Sequence, residues 1–274
     1  MIYSVFGDES YDSKRERVFA VAGVFGTEAE WDALAEKWTQ QTGGEEFHAA
    51  QWERGNRHAE YAALTKILAA SNLVGWGAVI SLVSFSATFD NAADNFLPYY
   101  ICFIRVVDHF GEFTKLIIPR GTVKFTFDQN LDVQYNAAAI YDHAAHLVEW
   151  ECSQFLEGDL TFSSRKNPRI QAADLWTYEV MKHMDNTIVG PKRRPMRKSL
   201  KALRDTNRFG FDMFDSAYFE GQKKHALEHP RAADLDYHGW RTKHKLIDNT
   251  TTRVRYEIYL TTIERHSKAA KMKS

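Results

Sequence analysis

MIYSVFGDES, residues 1–10, is the stretch whose reading decides the fold. It is an apolar, β-prone run that ends abruptly on two acids, Asp8 and Glu9. Side chains alternate along a strand, so Ser4, Phe6 and Asp8 share one face while Val5, Gly7 and Glu9 share the other. A strand this apolar belongs in the centre of a sheet, covered on both sides. Its carboxyl end is where an open α/β sheet places ligands. The two acids can equally open a polar turn, continued by Ser10, Tyr11 and Asp12. The choice between a site and a turn rests on whether other acids arrive at the same place.

Outward from this strand, YDSKRER (11–17) is a short polar link and VFAVAGVF (18–25) a second strand, so a hairpin is expected. Thr27 is an N-cap, with Glu28 and Glu30 in the first helical turn and Trp31, Leu34 and Trp38 on one apolar face. That helix stops near Gly43-Gly44. EEFHAAQW (45–52) has no clear period; it carries Glu46 and His48 around Phe47. Residues 59–70 read as a helix, 73–86 as a long third strand, and 95–116 as an apolar helix with Leu97, Ile101, Ile104, Val107 and Phe110 in a buried stripe. TVKFTF (122–127) is a fourth strand of the same kind as the first, followed at once by Asp128-Gln129-Asn130. A helix over 134–151, a short fifth strand at 160–163, the loop SSRKNP and a helix over 169–184 complete this part. Strands alternating with helices indicate an α/β domain.

Composition narrows the function. The 274 residues, 44% of them hydrophobic and 26% charged, suffice for one large domain or a domain with a substantial appendix. The start lacks the basic segment of a signal peptide, and no run of about 20 apolar residues occurs to span a bilayer. Cys102 and Cys152 lie far apart without CxxC spacing, which argues against a disulfide framework or zinc knuckle and for a reducing, cytoplasmic setting. Glycine patterns of nucleotide-cofactor sites and the GxSxG elbow are missing from the sequence. His143 with His146, and His225 with His229, have helical spacing without an evident third zinc ligand.

Charge is unevenly spread. Residues 1–184 carry 15 Lys+Arg against 25 Asp+Glu, and residues 185–274 carry 20 against 11. That split suits a carboxylate site beside a cationic surface, as a polyanionic substrate requires, and equally suits ordinary solvated helix faces. The basic, proline-punctuated GPKRRPMRKS (190–199) opens the second part. Short helices are expected at 199–206 and 216–228, with an undecided segment at 253–266. Phe209, Phe211, Phe214, Tyr218 and Phe219 interleave with charges, a pattern that serves base stacking or a small core. The expected division is a core at 1–184 and a mainly helical basic extension at 185–274.

Asp174 is the sharpest local anomaly. On a 3.6-residue period it lies with Ile170, Ala173, Thr177, Tyr178 and Met181, the face due to bury against the sheet. A carboxylate there must be paired, hydrogen-bonded or bound to a cation, and Lys124 is one candidate partner. Asp8 ends one apolar strand, Asp128 ends another, and Asp174 lies early in the helix after the fifth strand. If they converge, their repulsion calls for a cation. Oxygen ligands suit Mg²⁺ or Mn²⁺, and two such ions about 4 Å apart can activate water and stabilise a leaving oxygen in phosphodiester cleavage.

In these residues the chain resembles the DUF3800 proteins, a family of uncharacterised function with a ribonuclease-H-like fold. The matching pieces are the strand ending in Asp8-Glu9-Ser10, the VFAVAGVF strand, Glu46-Phe47-His48, the strand ending in Asp128, and Ile170-Gln171-Ala172-Ala173-Asp174, over about residues 1–184. Tyr11 stands where the family commonly has glycine, a departure in the turn rather than the acids. The resemblance implies a five-stranded mixed sheet flanked by helices, with the first and fourth strands adjacent, and the acidic triad of an integrase-type nuclease. Carried over, Asp8 is the central metal ligand, with Asp128 and Asp174 completing the site and Glu9 ranked below them. Glu46 and His48 are candidates for a further ligand or proton carrier. Ser164, Lys166, Arg169 and Gln171 are candidates for phosphate contact or for holding the helix entry. Two functions follow: a divalent-metal-dependent nuclease or phosphodiesterase acting on nucleic acid, or a non-catalytic nucleic-acid- or protein-binding module on the same fold. An ion between Asp8 and Asp128 favours the first, and an arginine or lysine in that gap the second.

Overall fold

The computed structural model describes residues 1–88, 97–118, 121–131, 134–146, 151–190 and 192–220. The expectations for residues 221–274, His225 and His229 among them, lie outside the described residues, as does the side chain of His143. The first strand is β1 (Ile2–Tyr11), followed by β2 (Val18–Gly26) and three helices, α1 (Glu28–Thr42), α2 (Ala49–Arg54) and α3 (His58–Ala70). Then come β3 (Val74–Ser81), α4 (Leu82–Thr88), α5 (Leu97–Ile117), β4 (Thr122–Asp128), α6 (Gln134–Ala145), β5 (Thr161–Ser163) and α7 (Pro168–Met184). A π-helical turn (Asp185–Val189), α8 (Lys198–Arg204) and β6 (Phe209–Phe214) end the described elements.

The chain is α/β, with a six-stranded mixed sheet in the order β5-β4-β1-β2-β3-β6 flanked by helices. β1 is interior: it pairs antiparallel with β2, as the hairpin reading predicts, and parallel with β4. The alternation along β1 decides the two cores. Val5 joins the layer under α5 and α6, and Phe6 joins the layer under α1, α3 and α7. Asp8 shares the Phe6 face, and α7 reaches it there: the Thr177 hydroxyl donates to the Asp8 carbonyl at 3.3 Å. Helix α1 starts where the sequence predicts. Thr27 and Glu30 form a reciprocal capping box, and Gly43 ends the helix in the left-handed conformation at φ 64°.

Three expectations are corrected. The sheet has six strands rather than five, because residues 209–214, expected between helices, pair in parallel with β3. The aromatic residues there alternate strand-wise: Phe209 packs on Trp176, and Phe214 enters the α5 layer. The third strand is shorter than expected and stops at Ser81, whose hydroxyl accepts from the Ser84 N–H at 3.1 Å and so starts α4. Along α5 the buried stripe is rotated: Cys102, Phe103, Val106, Val107 and Phe110 are buried, while Ile101 and Ile104 are only partly covered.

Candidate active site

The three aspartates come from three elements and meet at one end of the sheet. Asp8 is fully buried, and Asp128 and Asp174 are 4% and 3% exposed. β4 sets Asp128 beside β1 because the strands pair in parallel up to Gly7 opposite Phe127, so both chains deliver an acid at the same end. α7 lies across β1, β2 and β3 and supplies Asp174 from its buried face.

Each carboxylate has a different set of partners. The Glu9 N–H donates to Asp8 Oδ1 at 2.8 Å, whereas the buried Asp8 Oδ2 has no hydrogen-bond partner. Asp174 Oδ2 accepts from the Ala49 N–H at 2.8 Å and lies 3.0 Å from His48 Nδ1. With the proton on Nδ1 the ring donates to Asp174, which leaves Nε2 as the other ring nitrogen. Thus EEFHAAQW acquires its shape: His48 and the first turn of α2 cover Asp174, and Phe47 anchors the segment between Trp38 and Trp52. Asp128 Oδ2 accepts from Arg165 Nε at 2.8 Å. Glu9 is on the opposite face from Asp8, where Asn130 Nδ2 donates to it at 2.7 Å.

The electrostatics show the crowding. Burial, then the charges of Asp174, Glu9 and Asp128, push the Asp8 carboxyl well above the ordinary carboxylate range, and Arg165 only partly counters them. Burial lifts Glu9 to about 7. Asp128 is also raised by burial, against the pull of Arg165. For Arg165, burial opposes the charged form, but Asp8, Asp128 and Asp174 together hold the proton more tightly than usual. Three acids therefore gather with one guanidinium, and Glu9 adds its charge from the other face of the strand.

The remaining candidates fall in other places. Glu46, Ser164 and Lys166 are exposed. Arg169 is turned away to α1, bonding Glu28 at 2.7 Å and Asp32 at 2.6 Å. Gln171 is buried and holds the helix entry: it accepts from Trp38 Nε1 at 2.9 Å and donates to the Arg165 carbonyl at 2.7 Å. Lys124 is exposed and is not the partner of Asp174, a place taken by His48 and the Ala49 amide. Sequence reasoning missed Arg165 and Asn130; the signal for both was adjacency, one in the SSRKNP loop and one two residues after Asp128.

Three further residues, Asp108, Glu112 and Cys152, offer donor atoms within 4.8 Å of one another and could hold a metal ion. Asp108 and Glu112 have the i, i+4 spacing of one helix face on α5, and Gly111 leaves room for Cys152 against the helix. Among the described residues the Asp8, Asp128 and Asp174 oxygens do not form so tight a set, as mutual repulsion dictates. Their chemistry nonetheless fits a hard divalent cation. All are oxygen donors and one is a buried orphan; at this spacing the three do not all ligate one ion directly, so at least one would act through a water that Mg²⁺ or Mn²⁺ retains. Among the described residues no helix is long and apolar enough to cross a membrane. Comparison with family models, with curated proteins and with solved structures gives no match.

Proposed function

We propose that the protein is a divalent-metal-dependent nuclease or phosphodiesterase on a ribonuclease-H-like core, related to the DUF3800 proteins. The observation that carries the reading is Asp8 Oδ2: a fully buried oxygen without a hydrogen bond, on a carboxyl that feels the charges of Asp174 and Asp128. Leaving such an atom bare costs about 1–3 kcal/mol or more for a charged group, a cost that a functional site bears in return for a ligand. Asp8, Asp128 and Asp174 would hold Mg²⁺ or Mn²⁺, which would supply an activated water and charge stabilisation at the leaving oxygen. His48 is positioned by Asp174 and presents Nε2 to take or give a proton. Glu9, held by Asn130, adds to the field that makes Asp8 crave a cation. The exposed Lys192, Arg193, Arg194 and Lys198 supply positive charge for a nucleic-acid partner in a cytoplasmic setting.

The test is a cleavage panel of single- and double-stranded DNA and RNA with Mg²⁺ or Mn²⁺. Wild type is expected to cut at least one class, and Asp8→Asn and Asp174→Asn are each expected to lower the rate by at least about 10³-fold. Equal cleavage by wild type and variants would assign the activity to a contaminant.

A second reading, a binding module without chemistry, is favoured by one observation: Arg165 donates to Asp128 and so neutralises part of the acidic cluster from within the chain. Salt-sensitive nucleic-acid binding that survives replacement of all three aspartates, with no turnover under either metal, would select it.

A further inference from the structure

Arg165 stands between the residues that sequence reasoning proposed as phosphate contacts, Ser164 and Lys166, yet its environment differs from theirs. Both neighbours are exposed. Arg165 turns inward, with Nε donating at 2.8 Å to a carboxylate that is itself nearly buried. Its backbone is fixed from below by a relay of buried groups: Trp38 Nε1 donates to Gln171, and Gln171 donates to the Arg165 carbonyl. The turn is closed by the Asn167 N–H bonding the Ser164 carbonyl at 3.0 Å. The loop root is therefore rigid, while the arginine side chain remains 38% exposed.

Asp128 then serves two masters. One of its oxygens accepts from Arg165. A divalent cation arriving at Asp128 meets a positive charge already seated there, and in a partly desolvated pocket like charges at ligand distance repel strongly. We propose that Arg165 is the resident counterion of the acidic pocket and competes with the divalent cation for Asp128, so that this one side chain sets the metal affinity of the site. The inference rests on the metal-site reading above. It adds that metal loading is weak by construction, and that a polyanionic phosphodiester strengthens it by drawing the guanidinium outward. The terminal guanidinium nitrogens have no bond to another described residue and are available to phosphate oxygens.

The experiment is Mn²⁺ titration of the full chain by calorimetry, with thermal shift as a second readout, in the absence of nucleic acid. Arg165→Ala and Arg165→Gln are expected to bind Mn²⁺ about tenfold more tightly than wild type. Lys166→Ala removes the same charge one position away and is expected to stay within about twofold, because an exposed charge is screened. Asp8→Asn identifies binding at this pocket by abolishing it. Wild-type binding that Asp8→Asn abolishes, but that both Arg165 variants leave unchanged or weaken, overturns the counterion proposal and leaves the metal site standing. An equal gain in Lys166→Ala and Arg165→Ala overturns it too, since general surface charge would then explain the effect. No Mn²⁺ binding in wild type or in any variant removes the metal site itself, and the nuclease reading with it.

Discussion

Asp12 is a carboxylate of this chain whose position is structural, and it makes Asp8 stand out. Both are buried, four residues apart on the same hairpin arm. Asp12 accepts from the backbone N–H groups of Glu16, Arg17 and Val18 at 3.0, 2.8 and 3.0 Å and pairs with the Arg17 guanidinium at 3.4 Å. Burial acts to raise its pKa, but the N–H donors of Arg17, Val18 and Lys14 and the Arg17 charge outweigh it and hold the carboxyl below the ordinary 3.8. Because the folded-state value is depressed, the unfolded chain binds more protons as pH falls; this stabilisation is present above about 3.8 and is lost below it. Asp12→Ala is expected to cost about 2–3 kcal/mol at neutral pH by leaving those donors bare. Melts of wild type and variant should converge as pH drops below 4. The sequence made Asp12 legible only as part of a polar turn. The number of amides converging on it depends on the backbone path of residues 12–18, which composition does not encode. Asp8 and Asp174 were legible as oddities because each is an acid in an apolar context. Arg165 was not, since a loop arginine ordinarily points to solvent.

At the scale of elements, β1 and β4 carry the site, and their closeness has a steric origin. Gly7 stands opposite Phe127, and a Cβ at Gly7 would come within 2.4 Å of the Phe127 ring. The missing side chain lets the ring lie over the strand one residue before both acids. Gly7→Ala is expected to destabilise the fold by about 2 kcal/mol through overpacking, read as a lower midpoint in a denaturant melt. Because the ring must shift next to Asp128, the variant should also lose any Mn²⁺ affinity measured for wild type. β1, β2, α1 and α7 were readable because each has an unbroken pattern or a clear start: apolar β-prone runs in the two strands, Thr27 as the N-cap of α1, and the SSRKNP loop before α7. The end of β3 was not readable, because LVSFSAT is as apolar as the strand before it. Only the Ser81 hydroxyl, used as a cap, separates the two. β6 was hidden for the opposite reason: FGFDMF is short and carries a glycine and an acid, so its strand character depends on pairing with β3.

At the scale of the molecule, α7 is the axle. It packs on β1, β2 and β3, and nearly every residue of it is buried. Glu179 on this helix accepts from Tyr61 at 2.6 Å and from Arg197 at 3.0 Å. Arg197 and Tyr178 both also bond Glu53, so this ion-pair cluster ties the basic segment to α2, α3 and α7. Charge composition showed a basic second part but not that its first residues are stitched into the core by buried acids. β6 continues this stitching at the sheet edge, with Phe209 seated over Gly75 and against Trp176. Ending the chain after residue 204 would bare the β3 edge and the Trp176 ring. The truncated protein is expected to run as soluble aggregate rather than monomer in size-exclusion chromatography with light scattering.

The strand order has a consequence for synthesis on the ribosome. β1, β2 and β3 are consecutive and can zip together as they emerge, but β1 receives its other neighbour only when β4 has been made, and β3 receives its own only with β6. Through most of translation the nascent chain thus carries a half-formed sheet with two open sides, and Asp8 waits without the helix that covers it. Late pairing of two strands is the arrangement in which exposed edges are open to misassembly, so slower elongation or added chaperone is expected to raise the folded yield.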